Sequence, residues 1–155
     1  MNLDVLLIHP NASKRIYQEL SNSLAGIEQP IWAGMIATYL RDRGISVDIL
    51  DCEAYGLTVE DAYEKVKELK PKIVCTVVYG QQPSASTQNM TGALELSLKL
   101  SELDVVRAYV GAHPTALPDK TIQDDPGAFV CKGEGPRTLD VLNSVDDYTD
   151  YNKLR

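Results

Sequence analysis

The chain has 155 residues, 44% hydrophobic and 24% charged, with a formal net charge of −7. This is the length and composition of one globular domain that buries its own core. Its basic residues are scattered rather than clustered, which argues against a nucleic-acid partner, since phosphate binding needs a concentrated basic face. No apolar run reaches bilayer-spanning length, and Met1-Asn2-Leu3-Asp4 lacks the basic and apolar regions of a signal peptide, so a cytoplasmic location is expected.

Asp4 to His9 reads as a fully buried strand, because its apolar run is continuous rather than alternating. Residues 10 to 29 form a long connection in which Arg15 to Leu24 suggests a short helix; a connection of that length in an α/β domain is commonly functional. A helix from Ile31 to Arg43 follows, with Ile31, Trp32, Met35, Ile36, Tyr39 and Leu40 as one apolar stripe and Gly44 as its left-handed end. Ser46 to Asp51 alternates and predicts an edge strand. Thr58 and Asp61 form a capping box for a helix that faces the core through Val59, Ala62, Tyr63, Val66 and Leu69 and stops at Pro71.

Lys72 to Tyr79 is the strongest strand. Gly80 ends it, and a polar loop from Gln81 to Asn89 is expected to lead into a third helix through Leu94, Leu98 and Leu103. Val105 to Val110 is a fourth strand, closed by the small-residue turn Gly111-Ala112-His113-Pro114-Thr115. Ala128 to Cys131 is a short fifth, followed by Gly133-Glu134-Gly135. Pro136 opens a last helix, Arg137 to Leu142. A domain over 1–145 and a polar tail over 146–155 are expected.

Alternating strands and helices predict an α/β fold, a doubly wound parallel sheet in the flavodoxin-like, Rossmann-like order 2-1-3-4-5. Its switch point lies between strands one and three, where such sheets bind ligands. The loops after His9, Tyr79, Val110 and Cys131 meet there. None carries G-x-G-x-x-G or a P-loop. Gln81, Gln82, Ser84, Ser86, Thr87, Gln88 and Asn89 are neutral hydrogen-bonding residues, suited to a large neutral ligand rich in amides or simply to a solvated loop. His9 and His113 are the two histidines; each reads as a hydrogen-bonding side chain or a ligand contact. Asp119, Asp124 and Asp125 read as a solvated acidic face. Cys75 and Cys131 read as buried, and Cys52 as partly exposed. The three cysteines have no zinc or iron–sulfur spacing.

In order and spacing, several segments resemble the N-terminal cobalamin-binding domain of cobalamin-dependent radical S-adenosylmethionine enzymes. They are Leu6-Leu7-Ile8 with Pro10, Tyr39-Leu40-Arg41-Asp42-Arg43-Gly44, Val47-Asp48-Ile49-Leu50-Asp51, Pro71-Lys72-Ile73-Val74, Gly111-Ala112-His113-Pro114-Thr115 with Leu117-Pro118, and Gly133-Glu134-Gly135. The resemblance implies a Rossmann-like fold with cobalamin over the strand tips and its nucleotide tail along the sheet. It implies cofactor contacts at Pro10, Asn11, Tyr79, Gly80, Gln81, Ser84, Ser86, Thr87, Gly111, Ala112, His113, Pro114, Thr115, Gly133, Glu134 and Gly135. The D-x-H-x-x-G motif that supplies a cobalt-binding histidine elsewhere is missing, so a base-off cobalamin with no protein metal ligand is expected. No C-x-x-x-C-x-x-C is present, so the radical catalytic partner domain, with its methyltransferase activity, is expected outside this chain, in cis or in trans. A ligand-free interaction or scaffold domain is the alternative, and a lone small-molecule enzyme is weaker, for want of a nucleophile and base.

Overall fold

The structure is a computed structural model and describes residues 3–11, 28–80, 83–145 and 148. The helix suggested at Arg15 to Leu24 and most of the 146–155 tail lie outside them. Five strands form one sheet: β1 (Val5–His9), β2 (Val47–Asp51), β3 (Ile73–Val78), β4 (Val106–Gly111) and β5 (Phe129–Cys131). All neighbours pair in parallel, in the order β2-β1-β3-β4-β5. The expected topology is therefore observed, with β2 at one edge and β1 beside β3 at the switch point.

The helices are α1 (Ile31–Arg41), α2 (Val59–Leu69), α3 (Pro83–Leu100), α4 (Ala112–Ala116), α5 (Pro118–Asp124) and α6 (Pro136–Ser144). Successive side chains of a strand point to opposite faces, and β1 shows why its run must be continuous. Val5 and Leu7 pack with Ile36, Leu40, Leu139 and Leu142 on the α1/α6 face. Leu6 and Ile8 pack with Ala62, Val66, Leu96 and Leu100 on the α2/α3 face. The Thr58–Asp61 capping box of α2 is formed.

Several sequence expectations are corrected. The polar stretch after β3 is not a loop as far as Asn89: α3 already runs from Pro83. Proline suits a first helical turn because its missing N–H has no partner there. Within this turn Ser86 and Met90 face inward while Ser84, Thr87 and Gln88 stay exposed, so a helical face built from small polar residues hides from an apolar count. Further along, Leu98 is exposed and Leu96 and Leu100 are buried. The small-residue turn after β4 is helical as α4, and α5 follows with Pro118 in its first turn.

In α1 the residues against the sheet are Ala33, Ile36, Ala37 and Leu40, whereas Ile31, Trp32 and Met35 are exposed. The two alanines let the helix approach closely, and the larger residues are left beyond the strand ends. Cys52 is buried rather than partly exposed, and burial, with Asp51 adding to it, pushes its thiol up to about 12. Asp125 is fully buried and does not belong to a solvated face. It pairs with Arg107 and accepts from Tyr109 Oη at 2.8 Å and Ser97 Oγ at 2.6 Å. Tyr148 packs its ring 6.1 Å from that of Phe129.

Candidate functional site

The carboxyl ends of β3 and β4 are tied together by one side chain. The hydroxyl of Ser86, which is 1% exposed, donates to the Val78 carbonyl and accepts from the His113 backbone N–H at 3.0 Å. Asn89 donates to the Tyr79 carbonyl at 3.0 Å. The His113 ring lies against Thr87, with Nδ1 3.2 Å from Oγ1. Two glycines permit this junction. A Cβ on Gly111 would stand 2.1 Å from the Val78 carbonyl oxygen, and one on Gly80 would stand 2.3 Å from the Ala85 Cβ. Glycine at 111 thus serves the close contact between β3 and β4.

The turn after β5 joins this rim. Thr115 Oγ1 accepts from the Gly133 N–H at 3.0 Å, and Tyr79 Oη donates to the Gly133 carbonyl at 3.0 Å. Burial, reinforced by Glu134, raises the Tyr79 phenol above its ordinary value, so the hydroxyl remains a donor. Gly133 and Gly135 take φ of +80° and +87°, which turns the chain sharply into α6 and leaves Glu134 exposed.

Between β1 and β3 the rim opens into a cavity of about 430 Å³, lined by His9, Glu28, Pro30, Trp32, Met35 and Tyr79 among others. Trp32 stacks on Tyr79 with centroids 4.5 Å apart and planes at 21°. His9 stands opposite Asp51 in the β1–β2 register, with Nδ1 3.2 Å from Oδ1. His9 is 4% exposed. Glu53, whose carboxyl is raised by burial and lowered by the nearby His9, completes an acidic surround. Among the described residues, no three His, Cys, Asp or Glu side chains gather into a metal site.

The structure brings Tyr79, Gly80, Ser84, Ser86, Thr87, Gly111, Ala112, His113, Pro114, Thr115, Gly133, Glu134 and Gly135 to one end of the sheet, on β3, β4, β5 and the segments that follow them. Pro10 and Asn11 also follow a strand, but they line a small cleft with Leu57 and Thr58, where Asn11 donates to the Leu57 carbonyl at 3.2 Å. Gln81 lies outside the described residues. The sequence reading missed Trp32 and Met35 as cavity residues because they fall within an apolar stripe that looks like core. The signal was the stripe's width, greater than one helix face can bury.

The B12 binding domain model matches residues 20–143. No curated protein matches. Among solved structures, the cobalamin-dependent S-adenosylmethionine radical enzyme OxsB, with aqua-cobalamin and S-adenosylmethionine bound, is similar at a TM-score of 0.64 and 17% identity. The match covers 92% of this chain and 18% of that one. The radical S-adenosylmethionine methyltransferase TsrM from Kitasatospora setae, with cobalamin and a [4Fe-4S] cluster bound, matches at a TM-score of 0.68 and 19% identity, over 93% of this chain and 26% of that one. The chain thus spans about a quarter or less of these enzymes' length, and no helix among its described residues is long and apolar enough to cross a membrane. With a family model matched over most of its length, and with its ligand edge built as described, the chain belongs to the B12-binding domain family, whose cofactor is cobalamin.

Proposed function

We propose that this domain binds cobalamin base-off at the carboxyl edge of its sheet and holds it for a radical S-adenosylmethionine catalytic domain of the methyltransferase type, in cis or in trans. The observation that carries this is the open cavity between β1 and β3 beside a neutral, hydrogen-bonding rim. The residues present fit the ligand. Corrin carries peripheral amides that both donate and accept, and Ser84 and Thr87 are exposed on that rim. The apolar wall of Trp32 and Met35 suits a flat ring of the nucleotide tail. When bound, cobalamin supplies a cobalt centre able to carry a methyl group. The protein's own work is to hold the ring amides, bury the tail and keep the strand tips in register through Ser86.

The reading without a protein histidine on cobalt rests on the missing D-x-H-x-x-G, since neither His9 nor His113 has an aspartate two residues before it. Incubation with hydroxocobalamin, desalting and an absorbance spectrum tests binding; a colourless protein would favour the ligand-free scaffold. Electron paramagnetic resonance of the cobalt(II) form is expected to show no nitrogen splitting from a histidine. Splitting that disappears in His9→Ala or His113→Ala would overturn the reading without a histidine ligand.

Thr87→Ala is expected to weaken cobalamin binding by roughly 2- to 12-fold, the value of one neutral hydrogen bond of about 0.5–1.5 kcal/mol. Calorimetric titration reads it, with unchanged affinity excluding Thr87 from the contact.

A further inference from the structure

The cavity between β1 and β3 has a polar floor that a purely apolar slot for a flat ring would not need. His9 is the imidazole there, at the tip of β1. Its Nδ1 is engaged by Asp51 at 3.2 Å, and among the described residues Nε2 has no hydrogen-bond partner. The ring nonetheless lines the cavity. An imidazole nitrogen that lines a cavity and bonds no protein group is open to a matching ligand atom. From these placements we infer that His9, oriented by Asp51, is the residue that recognises a ring nitrogen of the ligand's nucleotide base, and that the two nitrogens share one proton taken up on binding. This rests on the cobalamin reading above and goes beyond it by assigning the contact and its protonation.

The chemistry is constrained. Once the benzimidazole base has left cobalt, its free ring nitrogen is an acceptor. With Nδ1–H donated to Asp51, the neutral His9 ring also offers only an acceptor at Nε2. Two acceptors facing each other repel, so the contact forms when one proton joins the pair, on whichever nitrogen it rests. The ionisable groups placed around the pair are acidic. Asp51 faces His9 from β2, Glu53 follows β2 and interacts with His9, and Glu28 lines the same cavity ahead of α1. Tyr79, from the end of β3, is held as a neutral phenol by burial, and Cys52 is likewise held as a neutral thiol. No cationic side chain lines the cavity among the described residues. Trp32 and Tyr79, stacked on each other, supply the aromatic wall beside the base.

The test compares methylcobalamin with methylcobinamide, which lacks the nucleotide, in the dark; neither has a titrating upper ligand. Affinities are measured by calorimetry from pH 6 to pH 9. Because binding takes up a proton, the affinity for methylcobalamin is expected to fall with rising pH, by up to about tenfold per pH unit. Methylcobinamide is expected to bind with no such slope, and His9→Gln, which keeps a hydrogen-bonding side chain that does not titrate, should bind methylcobalamin with the slope removed. Asp51→Asn should weaken methylcobalamin binding and leave methylcobinamide unchanged. A flat profile for wild-type methylcobalamin, or an equal slope with methylcobinamide, overturns the inference and leaves cobalamin binding standing. Failure of both ligands to bind overturns both readings. If His9→Gln does not fold, the wild-type comparison of the two ligands decides alone.

Discussion

Asp125→Ala is expected to cost about 3–5 kcal/mol of stability, the range for removing one partner of a buried ion pair. The carboxylate is fully buried and lies where the chain leaves α5 for β5. It receives the Arg107 guanidinium, the Tyr109 hydroxyl and the Ser97 hydroxyl. Arg107 also donates to the Ser97 carbonyl at 3.0 Å and the Pro126 carbonyl at 3.3 Å, so β4, α3 and the turn into β5 converge on one group. Burial holds the Tyr109 phenol well above its ordinary value, which keeps it a donor to Asp125. Without the carboxylate, Arg107, itself 8% exposed, keeps a charge with no counter-ion, and the Tyr109 hydroxyl loses its acceptor. Substituting the three together, Arg107→Met, Tyr109→Phe and Asp125→Leu, should recover most of the loss, because it leaves no buried charge without a counter-ion, only the neutral Ser97 hydroxyl and Pro126 carbonyl without these partners. Urea midpoints for the single and triple variants decide it. A single variant within about 0.5 kcal/mol of wild type, the usual scatter of surface substitutions, would mean that the network adds nothing.

This network also shows why part of the fold was legible in the sequence and part was not. The strand order follows from local signals: β1 and β3 are continuously apolar and belong inside, whereas β2 alternates and belongs at an edge. Each of those residues is explained by its immediate neighbours. Asp125 is not, because its partners lie 16, 18 and 28 residues away, and two acids in a row beside a proline resemble a solvated turn. The start of α3 was hidden for a related reason. Ser86 faces inward by bonding the Val78 carbonyl, so polarity at that position marks a tie between strands rather than a loop. At the site, the glycine-bearing rim was visible as composition after strand ends. The cavity was not, since it depends on Trp32 and Met35 projecting past a helix face occupied by Ala33 and Ala37. His9 was visible as a strand-tip histidine, but its pairing with Asp51 exists only once β1 and β2 are in register.

Gly111→Ala is expected to destabilise the domain through two separate causes. The backbone there has φ +153°, and the new Cβ would stand 2.1 Å from the Val78 oxygen and 2.6 Å from its carbonyl carbon. Those atoms belong to the paired strand, since Val78 and Gly111 are register partners, and a backbone carbonyl cannot swing aside as a side chain does. Overpacking costs about 1–3 kcal/mol, and an unfavourable backbone region about 1–3 kcal/mol more. The damage reaches the site, because pushing Val78 away from Gly111 also parts the hydroxyl of Ser86 from its two partners, the Val78 carbonyl and the His113 N–H. Two other glycines separate the causes. At Gly135, with φ +87°, a Cβ would stand 2.3 Å from Val110 Cγ2, an atom of a side chain rather than of the backbone. At Gly133, with φ +80°, it would meet nothing within 4 Å. The expected order of loss is therefore Gly111→Ala, then Gly135→Ala, then Gly133→Ala, the last near the 1 kcal/mol that a positive φ alone demands of a non-glycine residue. Urea midpoints on the three variants, followed by cobalamin titration of those that fold, check both the order and its consequence. If Gly111→Ala is as stable as Gly133→Ala, the carbonyl contact is not what reserves position 111 for glycine. If it is destabilised yet binds cobalamin as wild type does, the Ser86 tie does not position the rim for the ligand.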